Sequence, residues 1–242
     1  LLQEQLNKFT DIVFHEDEHK YTYNGYECRS VTTLLKDYKH IFDDVLIAGK
    51  YAKKHGMELI DVLKNWDQIR EKSGTIGTEV HKYAEMKFLQ KAYIPHWYEY
   101  DPPMQLLTYV DNFYQDTKNK LIPVKLEFVI GSFDKRLCGM IDKLFWNVKA
   151  KELQIWDYKT SKKIETSSPF KNKMRNGLQH LDDCEYNTYS LQLGIYKKII
   201  ETECQIKLGN SYICWLNAEN DNYKVIKTAG MEQEVDLIWN SI

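Results

Sequence analysis

Between residues 124 and 160, three runs rich in apolar, β-branched and aromatic residues follow one another in quick succession, and no other feature restricts the fold as strongly. The runs cover 124–130, 137–148 and 152–160, joined by short polar turns at Phe133-Asp134-Lys135 and Lys149-Ala150-Lys151. Connections this short can join only antiparallel neighbours, because a parallel crossover needs about a dozen residues or more. An antiparallel meander is therefore expected at the centre of the chain.

The segments around it supply the remaining layers. Residues 14–33 alternate polar with β-branched and aromatic side chains around Asn24-Gly25, the signal of a tight hairpin. A helical pattern covers 43–63, and Ser73-Gly74-Thr75 reads as a break before a second helix that opens after Gly77. In that helix Ile76, Val80, Ala84 and Phe88 recur at fourfold spacing on one face. Asp101-Pro102-Pro103 marks a loop, followed by an amphipathic helix over 104–118. After a basic polar linker, 161–183, a helix over 187–202 turns Leu191, Ile195 and Ile199 inward, and strands at 211–216 and 223–228 close the pattern. This order predicts an α/β fold, a mixed β-sheet flanked by helices. At 242 residues a single domain is expected, with 74–242 as its core and 1–73 as an N-terminal extension or lid.

Composition narrows the class of protein. With 43% hydrophobic and 28% charged residues the chain is far from disordered sequences. Five cysteines, an odd number without a CxxC pair, fit a reducing compartment, and no apolar run approaches bilayer length, so a soluble intracellular protein without membrane partners is expected. The chain begins at Leu1 rather than Met, which reads as trimming and leaves a removed targeting segment open. A formal net charge of -2 excludes coating of duplex DNA by bulk electrostatics, so any nucleic-acid contact must be local. Basic patches stand at Lys162 with Lys163, at Lys171 with Lys173 and Arg175, and at Lys197 with Lys198; each by itself reads first as solvated surface charge.

The ionisable residues of the meander stand out from their surroundings. Asp157 and Lys159 are two apart on an expected strand and so share a sheet face, with Tyr158 opposite, after the apolar run Leu153-Gln154-Ile155-Trp156. An exposed pair at a strand end explains those two residues equally well. Asp142, within Gly139-Met140-Ile141-Asp142 on the preceding strand, adds a second carboxylate from an apolar background, and Gly139 permits close approach. Carboxylates so placed repel unless a cation lies between them, and hard oxygen donors favour Mg²⁺ or Mn²⁺. Glu127 on the first strand can join the cluster or hold a metal-bound water. His81 lies at the margin of the apolar face of the helix after Gly77, with Glu85 one turn on; a lone helical histidine is more often structural than a ligand.

Taken in order, Gly77-Thr78-Glu79-Val80-His81, Glu127, Gly139 through Asp142, Asp157-Tyr158-Lys159 and Gln192 through Tyr196 resemble the RecB-like branch of the PD-(D/E)XK nucleases. Ser30 to Thr33, Trp66 and Asp157-Tyr158-Lys159-Thr160-Ser161 are similar to segments of the mitochondrial genome maintenance exonuclease family and its phage and bacterial relatives. The resemblance runs from about Phe14 to Ile200. It implies a restriction-endonuclease-like core and a metal-dependent DNA exonuclease that hydrolyses phosphodiester bonds of single-stranded DNA or DNA ends. It further implies His81, Asp142, Asp157 and the Tyr158 carbonyl as ligands of Mg²⁺ or Mn²⁺, Lys159 as the catalytic amine with Glu127 beside it, and Gln192, Tyr196, Thr160 and Ser161 as substrate contacts. No iron-sulfur cluster is expected, because Cys184, Cys204 and Cys214 are widely spaced. A structure-specific or RNA endonuclease of the same fold, and a catalytically silent nucleic-acid-binding module, are the alternatives.

Overall fold

A computed structural model describes residues 2–94 and 103–242, so Asp101 and Pro102 of the expected loop lie outside the described residues. The chain opens with α1 (Leu2–Leu6) and three strands, β1 (Ile12–His15), β2 (Lys20–Tyr23) and β3 (Tyr26–Ser30). Asn24 and Gly25 both adopt positive φ, 49° and 80°, the two-residue turn whose twist suits antiparallel strands, and Tyr23 pairs with Tyr26 across it. The expected hairpin is corrected at its end: Ser30 Oγ accepts the Thr33 N–H at 3.0 Å and caps α2 (Val31–Lys36), so Val31 to Thr33 are helical.

Two expectations for the next helices are also corrected. The helical run at 43–63 is divided: α3 (Asp44–His55) ends at Gly56, in the left-handed conformation at φ 64°, and α4 (Leu59–Phe88) follows. Conversely, no break occurs at Ser73-Gly74-Thr75, and α4 runs through it without interruption. A glycine in a helix interior costs about 1 kcal/mol relative to alanine but keeps its N–H, so a helix anchored at both ends survives it. The anchors are Val62 at one end, packed with Ala48 and Ala52 of α3, and Val80, Ala84 and Phe88 at the other.

α5 (Met104–Thr117) buries Leu106, Tyr109, Val110 and Phe113, an i, i+3, i+4, i+7 stripe. The meander forms as expected from β4 (Leu121–Ser132), β5 (Leu137–Asn147) and β6 (Glu152–Lys159). α6 (Glu185–Cys204), β7 (Ser211–Trp215), β8 (Lys224–Lys227) and α7 (Glu232–Asn240) complete the chain. The last helix, absent from the sequence reading, buries Val235 and Ile238.

The strands form one mixed, open sheet in the order β1-β2-β3-β5-β6-β7-β8, with β4 paired to β5. β6 and β7 are parallel, as are β3 and β5. Because β4 pairs with β5 over its whole length, β5 has one edge left, shared by β3 at Leu137 and Cys138 and by β6 from Lys143 onward. Residues 139–142 lie in the gap between those partners. Helices cover both faces. Phe145, Trp156, Tyr158 and Cys214 pack under α4 and α5, whereas their strand neighbours Leu144, Ile155 and Ile213 join the core that contains α6. Each such large apolar side chain contributes about 1.5–3 kcal/mol on burial. The architecture is thus α/β, a mixed sheet between helices. Among the described residues, no helix is long and apolar enough to cross a membrane.

Candidate metal centre

The gap in β5 is where the ionisable residues meet. Backbone pairing of β5 with β6 stops at Lys143 and Trp156. Beyond that point Asp142 Oδ2 accepts the Tyr158 N–H at 2.7 Å, so a side chain replaces the next rung of the ladder. β6 keeps its extended form because its other edge is held by β7, with Asp157 opposite Ile213 and Lys159 opposite Trp215. Asp157 and Lys159 therefore sit together, their charged groups 2.6 Å apart, and the Lys159 ammonium lies 4.8 Å from the centre of the Tyr189 ring.

α4 brings the histidine. Its neighbours Val80 and Ala84 are fully buried against the sheet, which places His81 beside the gap. Its Nδ1 lies 3.3 Å from Asp142 Oδ2 and its Nε2 lies 3.1 Å from the Tyr158 carbonyl oxygen. Burial disfavours charge on the ring, but the adjacent Asp142 carboxylate outweighs it and lifts the pKa to about 9. Both ring nitrogens face acceptors, Nδ1 the Asp142 carboxylate and Nε2 the Tyr158 carbonyl, an arrangement that favours the imidazolium at neutral pH. Burial alone would raise Asp142; His81 reverses this and holds it well below the usual carboxylate range.

Glu127 occupies the β4 position opposite Asp142, between the paired residues Leu126 and Phe128. Its φ of 42° is unusual for a non-glycine residue inside a strand and costs of order 1–2 kcal/mol. Its carboxylate meets the Lys143 ammonium at 3.1 Å. Burial, then the Asp142 charge, raise the Glu127 pKa to about 7. Burial likewise raises Asp157 to about 6, against the pull of Lys159.

One donor atom each from His81, Glu127 and Asp142 lie within 4.8 Å of one another, a separation that a single cation can bridge. An imidazole with two carboxylates is a hard to borderline donor set that fits Mg²⁺ or Mn²⁺. Glu127, read from the sequence as a supplementary carboxylate, thus belongs to the convergent group, while Asp157 is engaged by Lys159. The group opens into a cleft of about 830 Å³, walled by Phe14 and Tyr21 of the hairpin, Thr78 of α4 and Tyr196 of α6.

The other sequence candidates fall in three places. Gln192 Nε2 donates to the Tyr196 hydroxyl at 3.0 Å, and the Tyr196 ring packs so closely over Gly139 that a Cβ there would lie 3.0 Å from its Cζ, the close approach expected of that glycine. Thr160 Oγ1 faces Gly77, where a Cβ would sit 3.4 Å away. Ser161 hydrogen-bonds the Tyr189 hydroxyl at 2.8 Å. Within the basic patches Lys162 lies near Glu219, Lys163 near Glu165, Lys173 on Asp182 at 2.6 Å and Lys198 on Asp236 at 2.7 Å.

Sequence reasoning missed Lys143 and Tyr189. Lys143 was within reach: it follows Asp142 in a strand apolar on both faces, so period two alone places it inside, beside Phe145. Tyr189 carries no local signal; only α6 packing brings it over Lys159. The sequence matches no protein-family model and no curated protein.

Proposed function

We propose that this protein is a metal-dependent nuclease with a PD-(D/E)XK-type core, acting on DNA that is single-stranded or has free ends. The observation that carries the reading is the convergence of His81, Glu127 and Asp142 within 4.8 Å, one strand away from a lysine that is paired with Asp157. The ordered likeness to RecB-like nucleases supports His81 and Asp142 as ligands and Lys159 as the catalytic amine; it gives Asp157 as a ligand too, whereas here Glu127 takes the third place and Asp157 holds Lys159.

His81, Glu127 and Asp142 would hold the ion, near the Tyr158 carbonyl. A bound Mg²⁺ or Mn²⁺ supplies Lewis-acid polarisation of a phosphate oxygen and a more acidic water. Lys159 offsets the negative charge that grows on phosphate and orients the attacking water, a task suited to a compact ammonium. Asp157 holds that ammonium in place, and Tyr189 limits its swing from the other side. Tyr196 forms part of the wall along which substrate lies, and Gln192 behind it holds the Tyr196 hydroxyl. Phe14 and Tyr21 offer aromatic faces to unpaired bases.

The test is incubation of end-labelled single- and double-stranded DNA and of RNA with and without Mn²⁺, alongside closed circular single strands. Mn²⁺-dependent cleavage of linear single-stranded DNA, lost in Asp142→Ala and Lys159→Ala, is expected. Equal cleavage of circles would replace the end-dependent reading with an endonuclease, and preference for RNA would redirect the substrate. Absence of both cleavage and a Mn²⁺-linked rise in melting temperature would overturn the proposal.

A further inference from the structure

Lys143 lies in the middle of β5, fully buried at 0% exposure, and such lysines are rare unless paired. Its ammonium lies 3.1 Å from Glu127 Oε1 and 5.4 Å from the centre of the Tyr158 ring. The ring faces it from β6, while the Tyr158 hydroxyl is buried without a hydrogen-bond partner among the described residues. Glu127 is the residue in the strained left-handed conformation, and its carboxylate meets the lysine at 3.1 Å while also lying within 4.8 Å of the donor atoms of His81 and Asp142. Replacing a buried pair like this with apolar residues would be neutral or stabilising in many proteins, so folding stability alone gives little reason for it.

We propose that Lys143 is a resident cation of the metal centre: it positions Glu127 and fills the place of a second divalent ion, so that the site takes a single Mg²⁺ or Mn²⁺. The inference rests on the metal-dependent reading above and goes beyond it by giving the number of ions and the charge of the substrate. Charge balance within this partly buried cluster sets the number of ions. Glu127, Asp142 and Asp157 bring three negative charges, Lys143 and Lys159 two positive ones, and a metal-ligating histidine is neutral. These five groups therefore sum to one negative charge, and the rest of the cleft leaves that sum unchanged, since Lys82 offsets Glu85 while Glu16 and Asp17 are exposed to solvent and screened. A single divalent ion makes the total one positive charge, which a phosphodiester, with one negative charge per linkage, cancels. Two divalent ions would leave an excess that only further anions could compensate, and uncompensated buried charge is strongly unfavourable. The same balance favours a diester over a terminal phosphomonoester, which carries about two negative charges at neutral pH.

The experiment counts bound ions by titrating the full chain with Mn²⁺ and reading free Mn²⁺ by electron paramagnetic resonance. Wild type is expected to bind one ion. Lys143→Met, which frees Glu127 and removes the resident charge, is expected to bind two, whereas Lys143→Arg keeps the charge and should bind one. Two ions in the wild type, or one ion in Lys143→Met, would overturn the inference. If the Met variant does not fold, the wild-type count decides by itself. A wild type that binds no Mn²⁺ sinks the metal-dependent reading as a whole, whereas a Mn²⁺-dependent nuclease whose Met variant still binds one ion sinks only the role of Lys143.

Discussion

Asp142 serves the sheet and the candidate metal centre at once, and this double use sets the sign of its substitutions. It accepts the Tyr158 N–H and faces protonated His81, so Asp142→Ala leaves a buried donor and a cation without their partner. A loss of about 2–4 kcal/mol is expected in urea unfolding. Mutual repulsion of carboxylates would give the opposite result, since its relief would make the alanine variant firmer. The pH dependence follows from the same groups. His81 has its folded pKa raised to about 9, so its stabilisation is complete below the unfolded value of about 6.5 and is lost as pH rises through 9. Asp142 is depressed, so its contribution is present above about pH 4 and lost in acid. Asp157 and Glu127, raised to about 6 and about 7, are protonated more readily folded than unfolded and so favour folding less as pH rises through those values. Metal-free protein should therefore lose melting temperature between pH 6 and 9. A divalent ion must displace these protons, so Mn²⁺ affinity should rise over the same interval, with proton release visible as buffer-dependent heats in calorimetry.

At the scale of elements, α4 is the most instructive. Its two internal glycines differ in purpose. At Gly74 an added Cβ meets nothing within 4 Å, so Gly74→Ala should stabilise the protein by about 0.5–1 kcal/mol and leave Mn²⁺ affinity unchanged. Gly77 faces Thr160 across the contact between α4 and the end of β6, and there a large side chain such as leucine would push the helix, and His81 with it, away from Asp142. Gly77→Leu should weaken Mn²⁺ binding at least about tenfold while costing about 1–3 kcal/mol as an overpacked contact, read by titration and by thermal unfolding. A local pattern presents both glycines as helix breakers, because composition cannot reveal that packing at Val62 and at Val80 holds the helix on either side of them. Ser30 was ambiguous in the same way: a serine after an alternating run can continue a strand or cap a helix, and here its hydroxyl meets the Thr33 N–H.

For the molecule as a whole, the near-neutral charge acquires a structural meaning. Several of the clustered lysines after β6 stand against carboxylates, among them Lys162 with Glu219 and Lys173 with Asp182. Few phosphates can then be neutralised at once, and a nuclease of this kind should lose only about tenfold or less in DNA affinity between roughly 50 and 200 mM salt, measured by fluorescence anisotropy with a catalytically silenced variant. A steep salt dependence would instead reveal a basic track that the paired lysines do not provide.

Much of this was legible in the chain itself, because it depends on neighbours in sequence. Period two placed Asp157 and Lys159 on one face, short turns made 121–159 an antiparallel meander, and Asn24-Gly25 made a hairpin. What only the tertiary structure decided are the contacts between residues far apart in the chain. These are β3 joining β5 in parallel, the gap left at 139–142, the turn of Glu127 toward Lys143, and α4 delivering His81 to Asp142. Local periodicity records which face a side chain prefers, but the partner on that face is chosen by packing and by the electrostatics of burial, and both depend on the whole fold.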